Sequence, residues 1–194
     1  MTSEYRKYQR VAVLVDAQNI FYSVRHVFRN FRMNYKKLIE RAVGGRQLVR
    51  AIAYIVETPD VDQTEFRSML EREGYEIKIK AVKVRSDGSM KADWDMGIAI
   101  DAISMADKLD VCVLVSGDGD FVDMVNLLKS RGVVVEAISV KASTSEDLIK
   151  AVTKYHAIEE DDLVPSAHRS HRAPAHRRRS APRRPGADAI DPPQ

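Results

Sequence analysis

The chain has 194 residues, of which 44% are hydrophobic and 30% charged, and its 31 basic and 28 acidic residues give a formal net charge of +3. This composition suits one folded domain with a buried core and excludes a wholly disordered chain. The apolar runs are too short to cross a bilayer, and the single cysteine, Cys112, excludes an internal disulfide and a cysteine-rich zinc site. The charged N-terminus has no secretory signal, so we expect a polar lead-in at residues 1–10 and a cytoplasmic protein.

Strands and helices alternate along residues 11–160. Apolar and alternating runs predict strands at 11–15, 48–56, 75–84, 111–115, 133–138 and 155–158. Helices are predicted between them at 18–29, 34–42, 61–73, 92–108, 121–130 and 145–152, with a turn at 86–89. This order predicts a three-layer α/β/α sandwich with a mainly parallel, Rossmann-like sheet, in which ligands bind beyond the carboxyl ends of the strands.

Acidic residues follow two of the predicted buried strands. Asp16 comes directly after the strand at 11–15, and Ser-Gly-Asp-Gly-Asp at 116–120 follows the strand at 111–115. If these strands are neighbours, Asp16, Asp118 and Asp120 converge at the ligand edge, where glycines permit a tight backbone. Capping a helix or making a turn would explain one of these acids. Three carboxylates without basic neighbours repel one another unless a cation or protons intervene.

A second acidic segment begins the helix predicted at 92–108. Asp95 and Asp101 are about 240° apart around this helix, so they do not share a face. Asp95, in the first turn, is the candidate for the site, whereas we expect Asp101 to be a structural residue with a partner. Trp94 could stack a base, but a Trp at the start of a helix more often packs in the core.

A site built from carboxylates selects hard cations such as Mg2+ or Mn2+. An ion of this kind polarises a phosphoryl oxygen and activates water, which favours hydrolysis of phosphodiester bonds. Zinc is not expected, because His26 and His156 are isolated in the sequence.

Three segments occur in an order that is typical of one known family. They are Val-Asp-Ala-Gln-Asn-Ile-Phe at 15–21, Lys-Ala-Asp-Trp-Asp followed by Ala-Ile-Asp-Ala within 91–102, and Val-Ser-Gly-Asp-Gly-Asp-Phe at 115–121. Together with a weaker match at 145–148, they resemble the LabA-like branch of the NYN domain family, over residues 9–160.

This resemblance implies a PIN-like nuclease fold and a metal-dependent RNA nuclease. It implies the catalytic residues Asp16, Asn19, Asp95, Asp118 and Asp120, with the four acids as metal ligands. Asp101 also matches an acid of the family. The family often has an Asp near the position of Thr153, and this departure weakens the C-terminal motif without removing an implied ligand.

Basic residues near the acids are candidate contacts for RNA phosphates. A basic stretch follows Asp16 and contains Arg25, Arg29, Arg32, Lys36 and Lys37, and Lys91 precedes Asp95. Lys141, with Ser143, Thr144 and Ser145 nearby, follows the last main strand and should emerge at the ligand edge. The substrate-binding residues that we predict are Lys91, Arg25, Lys141 and Ser116.

Residues 165–194 differ in composition from the rest of the chain. They hold seven arginines, six of the seven prolines and two acids, so their net charge is 7 minus 2, or +5. With little to bury, this segment is expected to be a disordered tail. It acts either as a solubilising extension or as a tether for nucleic acid.

Two functions of different classes are compatible with these features. The first is a cytoplasmic metal-dependent ribonuclease, and the second is a regulatory or RNA-binding protein on the same fold that cleaves slowly or not at all. A third interpretation, a phosphoacceptor receiver domain, is weaker, because no Lys apart from Lys141 follows the final main strand in the setting that such a domain requires.

Overall fold

The computed structural model describes residues 6–57, 61–84, 90–91 and 93–166. Over these residues the strands are β1 (Arg10–Asp16), β2 (Phe31–Met33), β3 (Gln47–Glu57), β4 (Glu76–Ala81), β5 (Lys83–Val84), β6 (Met90–Lys91), β7 (Val111–Val115), β8 (Val134–Ser139), β9 (Lys154–Ala157) and β10 (Leu163–Pro165). The α-helices are α1 (Ala17–Phe28), α2 (Tyr35–Val43), α3 (Thr64–Arg72), α4 (Asp95–Met105), α5 (Val122–Ser130) and α6 (Glu146–Ala151).

The central sheet has six parallel strands in the order β4-β3-β1-β7-β8-β9. The chain builds the sheet outwards from β1, first through β3 and β4 on one side and then through β7, β8 and β9 on the other. Val15 pairs with Val115, so β1 and β7 end side by side. The point where the strand order reverses therefore lies between these two strands, where a sheet of this kind binds ligands.

Helices cover both faces of the sheet because its central strands are apolar on both sides. Val11, Val13 and Val15 of β1 pack with helices α1 to α3, whereas Ala12 and Leu14 pack with helices α4 to α6. Because such a strand directs alternate side chains into two apolar layers, its sequence is a continuous run of apolar residues. The predicted three-layer α/β/α sandwich with a parallel, PIN-like sheet is confirmed.

Most of the predicted elements are present, with shifted ends. The predicted strand at 75–84 is divided into β4 and β5, and the helix predicted from residue 92 begins at Asp95 and ends at Met105, before a 3-10 turn. Asn34 caps α2 as expected, since its Oδ1 accepts a hydrogen bond from the Lys37 amide at 3.1 Å. The predicted turn at 86–89 lies outside the described residues.

A small antiparallel pair, β2 with β10, was not predicted. Pro165, the first residue of the predicted tail, pairs with Phe31 in this ladder. The Ser166 amide then donates a hydrogen bond to the Asn30 carbonyl at 2.7 Å. Pro165 and Ser166, the first two residues of the predicted tail, are therefore joined by hydrogen bonds to the segment at 30–31. Residues 167–194 lie outside the described part of the chain.

Among the residues described, no helix combines the length and the apolar character needed to cross a membrane.

Candidate metal centre

Three carboxylates meet at the carboxyl edge of the sheet. Asp95, Asp118 and Asp120 each place one oxygen so that all three lie within 4.8 Å of one another. Asp95 is the first residue of α4, and the other two acids lie in the loop after β7. Asp95 and Asp118 are partly buried, whereas Asp120 is exposed. The structure thus brings together three of the four predicted metal-site acids.

Asp16 lies at the same edge but outside that group of three oxygens. It ends β1 and is only 8% exposed, and its Oδ1 accepts a hydrogen bond from the Asn19 amide at 3.0 Å, which caps α1. Burial raises the pKa of Asp16 to about 6, and the nearby charges of Asp95 and Asp118 act in the same direction. The side chain is therefore electrostatically coupled to the cluster, although the cap directs it to the start of α1.

Asn19 and Ser116 connect these segments beneath the acids. The Asn19 Oδ1 accepts a hydrogen bond from the Gly117 amide at 3.1 Å, which places Asn19 at the border of the cluster, as expected. The Ser116 hydroxyl donates to Asp16 Oδ2 at 3.5 Å and accepts from the Asp118 amide at 3.3 Å. Ser116 is fully buried. The Ser116 hydroxyl is therefore enclosed and supports two of the acids, and its contact with a substrate stays a prediction.

Glycines let the acidic loop pack against the segment that follows β8. A Cβ on Gly117 would lie 3.0 Å from the Ser143 carbonyl oxygen, and a Cβ on Gly119 would lie 2.8 Å from the Ser145 Oγ. The Ser145 amide donates to the Gly117 carbonyl at 2.9 Å. These glycines are required by close approach of the two segments, which holds Asp118 and Asp120 at the sheet edge.

Trp94 fixes the start of α4 and hence the position of Asp95. Its Nε1 donates a hydrogen bond to the Ile55 carbonyl at 2.9 Å, and its ring centroid lies 5.3 Å from that of Tyr54. Gly97 lies under the indole, where an added Cβ would be 2.5 Å from the ring. Trp94 thus packs against the core, which confirms the structural interpretation rather than base stacking.

Asp101 has the structural role that the helical spacing predicted. It accepts hydrogen bonds from the Tyr54 hydroxyl at 2.6 Å and from the Lys78 ammonium at 2.6 and 2.8 Å. Partial burial acts to raise the pKa of Asp101, but the hydrogen bonds from Lys78 and Tyr54 outweigh burial and lower it. Asp101 therefore joins α4 to the sheet instead of adding to the acidic cluster.

The predicted basic contacts are less closely placed than the acids. Arg25 is exposed on the third turn of α1, and Lys141 is exposed just beyond β8. Lys91 ends β6, which pairs with β5, and its side chain lies outside the described part of the structure. Contacts of these three residues with a substrate stay predictions.

Comparisons with known proteins agree with this architecture. A model of the NYN domain family matches residues 10–159. The low amplitude and bright protein LabA of Synechococcus elongatus is 28% identical over 155 residues, which cover 75% of this chain and 82% of LabA. The crystal structure of a protein of unknown function from Vibrio parahaemolyticus aligns with a TM-score of 0.76 and 36% identity, over 84% of this chain and 100% of that chain.

Proposed function

This chain belongs to the NYN domain family, and from that premise we propose that it is a metal-dependent ribonuclease that hydrolyses phosphodiester bonds at its acidic cluster. The observation that carries the proposal is the approach of Asp95, Asp118 and Asp120 oxygens to within 4.8 Å. Carboxylates this close repel one another unless a cation or protons lie between them. Their position at the strand-order switch is also where such a sheet binds ligands.

The geometry and chemistry of the three acids fit a hard divalent cation. Two oxygens bound to one Mg2+ can be at most about 4.2 Å apart, since each Mg–O distance is about 2.1 Å. The three oxygens lie within 4.8 Å of one another, which is close to this limit. Asp95, Asp118 and Asp120 would hold Mg2+ or Mn2+, which would supply polarisation of the phosphoryl oxygen and activation of water.

The surrounding residues position the proposed ligands. Ser116 and Asn19 hold the backbone of the acidic loop through the Asp118 and Gly117 amides. Asp120 is the exposed acid and is therefore accessible to a phosphodiester from solvent. Asp16 adds negative charge behind the cluster, which strengthens the attraction for a cation.

A regulatory or RNA-binding protein with little or no cleavage is the second candidate. The observation that favours it is the orientation of Asp16, which caps α1 instead of joining the oxygens of the other three acids. A ligand set with one carboxylate fewer than the sequence predicts would bind an ion more weakly. The two candidates differ in turnover and share RNA as the partner.

The proposal is tested by incubating the purified full chain with mixed RNAs and either Mg2+ or Mn2+, and resolving the products on denaturing gels. We expect Asp118→Asn and Asp120→Asn to reduce cleavage by at least about a hundredfold, because each removes a metal-ligand charge. Asp107→Asn is the matched control, since Asp107 is an exposed acid in the 3-10 turn that precedes β7. If the wild type binds RNA but cuts none with either ion, the regulatory candidate replaces this proposal.

A further inference from the structure

The solvent face of α1 carries two exposed aromatic rings among basic side chains. Phe21 is 52% and Tyr22 is 59% exposed, and their ring centroids lie 5.4 Å apart in an edge-to-face arrangement. The Arg25 guanidinium lies 5.9 Å from the Phe21 ring centroid. Tyr22 and Arg25 line a shallow hollow with His26 and Arg29. Large aromatic side chains usually bury most of their surface, so an exposed pair marks a surface that binds something.

The charge of this part of the chain indicates an anionic ligand. Residues 17–39 contain no Asp or Glu, but they contain the basic residues Arg25, Arg29, Arg32, Lys36 and Lys37. Within the described part of the chain, neither Arg25 nor Arg29 forms an ion pair. The two guanidinium groups beside the rings are thus available for phosphates, which they bind with two parallel hydrogen bonds.

Arg29 occupies a backbone conformation that does not suit an arginine. It ends α1 with a φ of 29°, in a region that residues with a Cβ rarely adopt. Glycine is the residue that tolerates positive φ at the end of a helix. Strained residues of this kind cluster at functional sites.

This face leads directly to the acidic cluster. Asn19, Tyr22 and His26 follow one another at intervals of three and four residues, so they lie along one side of α1. Asn19 is hydrogen-bonded to Gly117 beside the acids. At about 1.5 Å of rise per residue, Tyr22 is roughly 9 Å along the helix from Asp16, and Arg29 is roughly 20 Å from it. A strand lying along α1 would therefore reach the acids within a few nucleotides.

We propose that the exposed face of α1 binds single-stranded RNA and guides it into the acidic cluster. Bases stack on Phe21 and Tyr22, and phosphates bind Arg25 and Arg29. Stacking on aromatic rings requires unpaired bases, so the surface selects single strands over duplexes. This inference rests on RNA as the proposed substrate, but it does not depend on cleavage.

Charge complementarity argues against the other occupants of this surface. A two-fold dimer through α1 would place the basic face of one copy against the basic face of the other, and like charges would repel. An anionic membrane would match the charge, but the surface continues into a carboxylate cluster, which an anionic bilayer would repel. RNA can satisfy both parts, since a bound cation links its phosphate to the acids.

The experiment measures binding of fluorescent RNA to the full chain in EDTA, where a metal-dependent nuclease does not cut. The probes are an unstructured strand of about 12 nucleotides, within the usual range of binding-site sizes, and its duplex with the complementary strand. Phe21→Ala with Tyr22→Ala removes the rings, and Arg25→Gln with Arg29→Gly removes the charges while relieving the positive φ. Tyr8→Ala is the matched control, because Tyr8 is 67% exposed and has the Lys7 ammonium 5.1 Å from its ring, but it precedes β1.

The expected results separate stacking from charge. The aromatic double variant should bind the single strand at least about fivefold more weakly, with an unchanged salt dependence, while Tyr8→Ala binds like the wild type. The arginine double variant should lower the slope of log affinity against log salt by about 1.4. Vesicles that contain phosphatidylserine are a third probe, for the membrane alternative. Unchanged RNA affinity of the aromatic variant, an equal loss for duplex, or a loss of affinity only for the vesicles would each overturn the proposal. If the wild type cleaves RNA but the aromatic variant binds RNA normally, the proposed binding surface is wrong and the proposed nuclease function stands.

Discussion

Asp16 is a buried carboxylate whose charge is costly to the fold. It is nearly enclosed, its neighbours Asp95 and Asp118 are also acidic, and its pKa is raised from an ordinary 3.8 to about 6. The folded state therefore holds the Asp16 proton more tightly than the unfolded state does. Protonated Asp16 stabilises the folded state relative to the ionised form, and this stabilisation is complete below about pH 4. It is lost as the pH rises through 6, because the folded protein must then bury the ionised carboxylate.

The raised pKa of Asp16 predicts how Asp16→Asn changes the stability of the protein. In EDTA at pH 8, the variant should exceed the wild type in free energy of unfolding by up to about 3 kcal/mol, because each pKa unit corresponds to about 1.36 kcal/mol. At pH 4 the difference should largely vanish. Urea denaturation of both proteins at the two pH values measures it. An equal difference at both pH values would contradict the assignment of the penalty to the Asp16 charge.

Asp110→Asn provides a control with the opposite sign. Its carboxylate accepts hydrogen bonds from the Arg10 side chain and backbone amide, and these hydrogen bonds lower its pKa. Removing that charge should therefore destabilise the protein more at pH 8 than at low pH.

At the scale of elements, the site depends on how α4 begins. The indole of Trp94 is held by the Ile55 carbonyl and by Tyr54, and Asp95 is the next residue. Trp94 is also the single tryptophan of the chain. Its fluorescence is thus a specific probe of an ion bound beside Asp95.

We expect Mn2+ to quench Trp94 fluorescence in the wild type, because a paramagnetic ion quenches an indole close to it. Asp118→Asn should need at least about tenfold more Mn2+ for the same quenching, since loss of a ligand costs at least as much affinity as loss of a supporting residue. A fluorescence titration in the absence of RNA measures both proteins. Identical titrations of wild type and variant would place the ion away from this cluster.

The sheet and its edge were predictable from the sequence because buried parallel strands have a clear apolar signal. The run at 111–115 gave the bounds of β7 without error, and the pairing of β1 with β7 places Asp16 near Asp118. The β2–β10 pair was not predictable, since three-residue strands show no alternation and proline is rare inside a sheet.

The details of the site depend on rotamers and long-range packing that a linear pattern does not contain. The sequence predicts Asp16 at the edge, but whether its carboxylate caps α1 or turns to the other acids depends on local hydrogen bonds. Burial of Ser116 likewise follows from packing of the segment after β8 over the acidic loop. The packing of Trp94 over Gly97 was weakly indicated by the sequence, because a small residue three positions after a tryptophan leaves room for the indole ring.

At the scale of the whole molecule, the described backbone ends close to the end of α1. The Ser166 amide is hydrogen-bonded to Asn30, which follows Arg29 at the end of α1. Seven arginines occur after this point in the sequence. We therefore propose that the arginines at 167–194 tether RNA.

Deletion of residues 167–194, which keeps β10 intact, should weaken RNA binding and lower its salt slope by up to about 5, because each lost phosphate contact of a single strand contributes about 0.7. The cleavage rate at saturating RNA should stay the same. A full-length variant with the seven arginines replaced by Gln separates charge from length and should reproduce the deletion. A fall in kcat after the deletion would instead place the tail in the active site.

The parallel pairing of β1 with β7 also has a consequence for synthesis of the chain. This pairing joins residues 100 positions apart, such as Val11 with Val111, and the acidic loop follows β7. At roughly 5–20 residues per second, the ribosome needs about 5–20 s to extend the chain from Asp16 to Asp120. The local helices form in this interval, but no acidic cluster exists until the long-range strand pair closes. A nascent chain of this design thus lacks the candidate metal site until most of its sheet has been made.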